Sequence, residues 1–197
     1  MTSIQKLGGF RVILVLTLAC VGCIACARTA NAAFLGPYAL GNFTISQTDP
    51  TDGSTVMSPD GGLSVVITGG NNGSGNPSEI DWFIIAPASG IATFNWAYSS
   101  QDTPGFDGGG FLVNGSNTLL SVADGESGSE NVGIFAGQTF GFFAATADNT
   151  GEPGVLTISN FSGPLPVPEP GTAIQVIGAA CIASFKYLSN YLRRTKP

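Results

Sequence analysis

In the run IATFNWAY, Ala92, Phe94, Trp96 and Tyr98 fall on one side of an extended chain, and Thr93 and Asn95 on the other. A two-residue period of this kind marks a strand with one buried face. Similar short apolar or alternating runs recur as NFTISQ, LSVVIT, IDWFIIA, GFLVNG, TLLSVA, NVGIFA, TFGFFAAT and GVLTISNF. Clusters such as TDPTDG, TGGNNGSGNP and DGESGSEN separate them. Their Gly, Asn, Asp and Pro residues are those that turns select. No stretch from 34 to 164 has a convincing 3.6-residue period. About nine short strands over roughly 130 residues predict an all-β domain, an antiparallel two-sheet sandwich that is jelly-roll-like.

Composition agrees. Of 197 residues, 28 are glycine and only 10% are charged, as suits many turns around a sheet core. The net charge is -6 and the isoelectric point about 4.3. Phosphate binding needs clustered Lys and Arg, so nucleic acid is excluded as a partner. Histidine is absent, which removes the commonest general base and zinc ligand. The four cysteines lie in two apolar runs, Cys20, Cys23 and Cys26 in one and Cys181 in the other. The segment between them holds neither a disulfide nor a thiolate nucleophile.

The distribution of charge is more telling than its sum. Lys6, Arg11 and Arg28 precede Phe34, and Lys186, Arg193, Arg194 and Lys196 close the chain. Between Phe34 and Phe185 there is no Lys or Arg, and all 13 acids lie there. Positive ends flanking a segment without positive charge are expected when the ends stay cytoplasmic and the middle crosses a membrane. Residues 1–33 read as a secretory signal peptide, with Lys6 and Arg11 ahead of the apolar VILVLTLACVGCIACA. Ala30 and Ala32 frame a small-x-small cleavage site. The domain then spans 34–164, and 165–170 is a proline-rich spacer. The run 171–192 is read as a transmembrane helix whose apolar core is short but extends through KYLSNYL. Residues 193–197 form a basic cytoplasmic tail, with Arg193, Arg194 and Lys196 as the membrane stop.

Several side chains invite a chemical reading. SSQDTPGFDGGG carries Asp102 and Asp107, and TADNTGEPG carries Asp148 and Glu152. Both segments follow aromatic strands that a jelly roll would place side by side. Their oxygens are of the kind Ca²⁺ takes, although Asp and Asn beside Gly or Pro also stabilise turns without a metal. Asp49, Asp52 and Asp60 lack the spacing of a calcium-binding EF-hand loop and are read as turn residues. The pairs Asp102/Asp107 and Asp148/Glu152 formally suit a glycoside hydrolase. Trp82, Trp96 and Tyr98 offer faces for sugar stacking. Trp96 and Tyr98 share a face with Phe94, which places them in the core, whereas Trp82 follows the polar SEID and is read as more open. No Ser or Thr has a His or Lys in the domain to activate it, so no catalytic residue is assigned.

Pro168-Glu169-Pro170, the apolar run from Gly171 to about Leu192, and Arg193-Arg194-Thr195-Lys196 together resemble the PEP-CTERM sorting signal of exported bacterial proteins. Gln175 and the segment KYLSNYL depart from its usual form. The resemblance implies processing by an exosortase, a membrane-embedded partner, and an association with exopolysaccharide and biofilm matrix. DWFIIAPASGIATFNWAYSSQDTPGFDGGGFLVNG and AGQTFGFFAATADNTGEPGVLTISNF are similar to a β-sandwich ectodomain frequent in that family. The expected protein is therefore an exported, non-enzymatic component of the cell surface or extracellular matrix, adhesive or polysaccharide-associated. The alternative is a carbohydrate-binding or carbohydrate-active secreted module.

Overall fold

A computed structural model describes residues 34–167, together with 182, 183 and 186. Ten strands follow one another: β1 (Thr44–Gln47), β2 (Thr55–Met57), β3 (Ser64–Thr68), β4 (Ser78–Ile85), β5 (Gly90–Ser99), β6 (Asp107–Val113), β7 (Ser116–Ser121), β8 (Ser127–Ile134), β9 (Thr139–Thr146) and β10 (Val155–Ser162). Two short 3₁₀ turns, Gly36–Tyr38 and Leu40–Asn42, precede them. The strands form two antiparallel five-stranded sheets, β1-β4-β9-β6-β7 and β2-β3-β10-β5-β8. From β3 to β10 the chain crosses from sheet to sheet at every connection except the β6–β7 hairpin. This is the winding of a jelly roll, with β1 and β2 added at one edge.

The alternation seen in the sequence builds the core. Val65, Ile67, Ile80, Phe94, Phe140, Phe142, Leu156, Ile158 and Phe161 point inward and are buried. Phe34 stacks on Phe161 with ring centroids 4.8 Å apart, and Phe94 meets Phe142 edge to face at 4.9 Å. Each such ring contributes roughly 2–3 kcal/mol by leaving water. A core of this extent suits a domain without cross-links.

Three features differ from the expected strands. β2 is an additional edge strand of three residues, too short to show an alternation. β8 begins at Ser127, within a stretch expected to be loop, because β5 offers it a pairing edge. β6 begins at Asp107 and takes in the glycine run. A Cβ on Gly109 would lie 3.1 Å from both Leu156 and Tyr98, so glycine there lets the sheets approach. Asn114 and Gly115 both have positive φ, 53° and 78°, as the two-residue β6–β7 turn requires.

The sandwich has two unlike ends. At one, Phe34 N–H donates to the Gly62 carbonyl at 2.9 Å, and the Tyr38 hydroxyl donates to the Pro164 carbonyl at 3.2 Å. Residues 34 and 164 thus leave the domain together. The opposite end gathers the loops 48–54, 69–77, 100–106, 122–126 and 147–154. No helix among the described residues is long and apolar enough to cross a membrane. The signal peptide with Ala30 and Ala32, the motif Pro168-Glu169-Pro170, and the stop Arg193, Arg194 and Lys196 lie outside the described residues, as does nearly all of 171–192.

Candidate functional site

The loop end holds most of the acid. Asp49, Asp52, Asp102, Asp124, Glu126, Asp148 and Glu152 sit on its loops, and Asp107 opens β6 beside them. Asp107 pairs with Thr146 at the end of β9. A Cβ on Gly151 would lie 2.8 Å from Asp102 Cγ. The fold therefore brings Asp102 and Asp107 against the 147–154 loop, as the order of strands led one to expect.

They do not assemble into a metal cage. Among the described residues no three His, Cys, Asp or Glu side chains form a group able to hold an ion. Asp148 Oδ1 accepts from the Thr150 N–H at 3.0 Å, which is turn chemistry, and Glu152 is exposed. Asp102 Oδ1 accepts from the Thr103 N–H at 2.6 Å. Asp107 Oδ2 accepts from the Ser100 hydroxyl at 2.9 Å. Burial holds the Asp107 carboxyl above the usual aspartate range, against the pull of that hydroxyl. Burial, and then the Asp107 charge, also pushes the Tyr98 phenol up. Tyr98 Oη and Asp107 Cβ both border Gly154, yet Tyr98 Oη and Asp107 Oδ1 are each buried without a hydrogen-bond partner.

Asp49, Asp52 and Asp60 close turns as expected. Asp49 Oδ1 accepts from the Thr51 N–H at 2.8 Å, and Asp60 Oδ1 from the Ser64 N–H at 2.7 Å. Asp52 differs in burial. It is 1% exposed, and only its Oδ1 has a partner, the Ser54 N–H at 2.8 Å.

A second acidic feature lies on the outer face of the β1-β4-β9-β6-β7 sheet. Glu79 and Asp81 are two residues apart on β4 and lie on the same face of the strand. Burial, and then the Glu79 charge, pushes the Asp81 carboxyl up to about 6. Asn117 Nδ2 donates to both Glu79 oxygens at 3.0 Å. The sequence offers no signal for this pair beyond two acids at strand spacing, because Asn117 arrives only when the β6–β7 hairpin folds over. A Cβ on Gly110 would meet the Thr118 carbonyl and the Phe143 ring, so the glycine admits the hairpin.

The aromatic expectations divide. Tyr98 is 2% exposed, and Trp96 is half-buried against Gly128. Trp82 is not the open residue its polar neighbours suggested. It is 3% exposed and stacks on Phe43 at 3.7 Å. The strand alternation turns Trp82 inward with Ile80 and Ile84, whatever the polarity of SEID.

The outer face of the other sheet is uncharged. Its cross-strand rows run Ser64–Ser159–Asn95–Ser129 and Val66–Thr157–Ala97–Ser127, flanked by Thr93, Asn131, Thr68 and Thr55. Hydroxyl and amide groups therefore share this surface with exposed apolar side chains, Met57 beside Val66 on β2 and Ile91 on β5.

No family model matches this chain, and none of the curated proteins matches it. Among solved structures, the secreted serine protease VesC from Vibrio cholerae is similar over 64% of this chain, with 14% identity and a TM-score of 0.39. The chain spans 25% of that protein. A carbohydrate-binding module of family 35 from Cellvibrio japonicus is 19% identical over 62% of this chain and 95% of its own, with a TM-score of 0.36. A family 35 module from Clostridium thermocellum is 16% identical over 60% of this chain and 92% of its own, with a TM-score of 0.32. Likeness at this level leaves function to be argued from the residues of the chain itself.

Proposed function

We propose that this protein is an exported, non-catalytic β-sandwich that works in contact with polysaccharide at the cell surface or in the extracellular matrix. The observation that carries this reading is the outer face of the β2-β3-β10-β5-β8 sheet, whose paired rows mix hydroxyl and amide groups with exposed apolar side chains and hold no Asp or Glu. Such a face exchanges hydrogen bonds with sugar hydroxyls without desolvating a charge. Each bond contributes only about 1 kcal/mol, so binding to a polymer relies on many contacts together. The acidic remainder of the surface disfavours polyanions.

A hydrolytic role is disfavoured by how the two candidate carboxyl pairs are engaged. Asp102 Oδ1 accepts from the Thr103 N–H, Asp107 Oδ2 from the Ser100 hydroxyl and Asp148 Oδ1 from the Thr150 N–H, contacts that close the loops on themselves. In this proposal Pro168-Glu169-Pro170 is the sorting motif and an exosortase the processing partner. The 171–192 helix anchors the precursor in the membrane, and Arg193, Arg194 and Lys196 stay cytoplasmic. Departure of residues 34 and 164 from one end supports a domain tethered there with its acidic loops distal.

Affinity electrophoresis of the full chain through a panel of neutral polysaccharides tests the binding reading. Retardation by at least one polymer, reduced by Thr157→Glu or Asn95→Asp, is expected. Unretarded migration through every polymer overturns it.

A further inference from the structure

Three loops meet around Gly70, and what they present there is acceptor without donor. Asp52, on the loop between β1 and β2, is 1% exposed, and its Oδ2 has no partner. Asn149, on the loop between β9 and β10, is fully buried, and its Oδ1 also has no partner. The orientation of that amide follows from its other end, since Nδ2 donates to the Asn76 carbonyl at 3.0 Å. Both orphan oxygens converge on one point, because a Cβ built on Gly70 would land on each of them. The loops are locked around it. Asn71 N–H donates to the Asp52 carbonyl at 2.8 Å, and Gly73 N–H to the Asn149 carbonyl at 2.7 Å. Asn149 adopts a left-handed backbone, φ 56°, which asparagine accepts.

A buried carboxylate with one empty oxygen is costly unless a positive group or a donor reaches it. No Lys or Arg exists between Phe34 and Phe185 to do so. Asp107 Oδ1 and Asp102 Oδ2 are also buried without a partner, but among the described glycines only Gly70 has two such orphan oxygens meeting at its Cβ position. At Gly70 the donor set is a carboxylate and an amide oxygen, with no nitrogen or sulfur. These are ligands of a hard cation, and a flexible oxygen shell of loops and water suits Ca²⁺ better than the strict octahedron of Mg²⁺.

We propose that Asp52 Oδ2 and Asn149 Oδ1 hold a Ca²⁺ ion in front of Gly70, pinning the β1–β2, β3–β4 and β9–β10 loops together. The site shares no residue with the quartet Asp102, Asp107, Asp148 and Glu152. Nor does it depend on the polysaccharide reading.

The test is thermal unfolding of the full chain in mild detergent, in EGTA and in millimolar Ca²⁺, with calorimetric titration of Ca²⁺. The wild type should gain about 5 °C with Ca²⁺. Asp52→Asn keeps the shape and removes the charge. It should abolish the calcium-dependent shift yet melt above the wild type in EGTA, because the uncompensated carboxylate has gone. This opposite sign separates loss of a site from simple misfolding. Asp102→Asn should retain the wild-type shift. An equal melting temperature of the wild type in EGTA and Ca²⁺ would assign the two oxygens to a bridging water and overturn the proposal. A calcium shift that survives in Asp52→Asn and vanishes in Asp102→Asn would overturn it equally.

Discussion

At the scale of single residues, glycine and buried acid set the terms. Gly141 faces Phe83 across β9 and β4, and a Cβ there would lie 2.5 Å from Phe83 Cα. Gly141→Ala should therefore destabilise the domain by about 3 kcal/mol, since backbone on both strands must shift. Urea denaturation measures this, and a loss within half a kcal/mol would contradict the packing described. Asp81 gives a pH signature. Its carboxyl, pushed up to about 6, binds its proton more tightly in the folded chain than in the unfolded one. The stability it allows is present below the ordinary value of 3.8 and is lost as pH rises from there towards 6. Asp81→Asn should flatten that fall and raise stability at pH 7 by about 1 kcal/mol, solvent screening having reduced the full linkage. Equal pH profiles for variant and wild type would show that Asp81 does not carry the effect.

At the scale of elements, β10 joins the domain to its exit. Phe161, near its end, is 1% exposed and touches Phe34, Tyr38, Phe140 and Phe142. Phe161→Ala should cost about 4 kcal/mol, the range for a buried aromatic that leaves a cavity. Because Phe34 and Tyr38 lose their anchor too, protease should cut first within residues 34–43. Ser159→Ala, on the outer face of the same strand, should change stability by less than about 0.5 kcal/mol. A similar cost at both positions would mean that the strand does not have one inner and one outer face. The hairpin β6–β7 corrects the sequence expectation: GFLVNG reads as one strand, but β6 ends at Val113 and Asn114-Gly115 forms the turn, and nothing local announces that the hairpin folds over Gly110.

At the scale of the whole molecule, the two ends divide the work. Residues 34 and 164 leave from one end, and the acidic loops crowd the other. Val167, 87% exposed, already stands clear of the sandwich. Removal of residues 168–197 should leave the melting temperature within about 2 °C, since the described core closes without them. In cells, the surface form should lack Arg193 and Arg194 when its C-terminus is weighed by mass spectrometry. A surface chain that keeps both arginines would sink the sorting proposal.

The sequence by itself determined the class of the fold, because strand alternation and turn chemistry are local and repeat along the chain. It placed Phe94, Trp96 and Tyr98 on one inward face, of which Trp96 is only half-buried, and brought the segments of Asp102 and Asp148 together. It also determined that no Lys or Arg lies within the domain itself beside its buried acids, which is a matter of counting. Only the tertiary structure decided which acids are buried and which merely close turns. Asp49 and Asp52 lie three residues apart in one loop, yet only Asp52 is enclosed, because the β3–β4 and β9–β10 loops close over it. Trp82 turned inward because register, not the polarity of its neighbours, fixes the face of a strand. Burial and convergence depend on contacts between segments distant in sequence, and no local pattern carries that information.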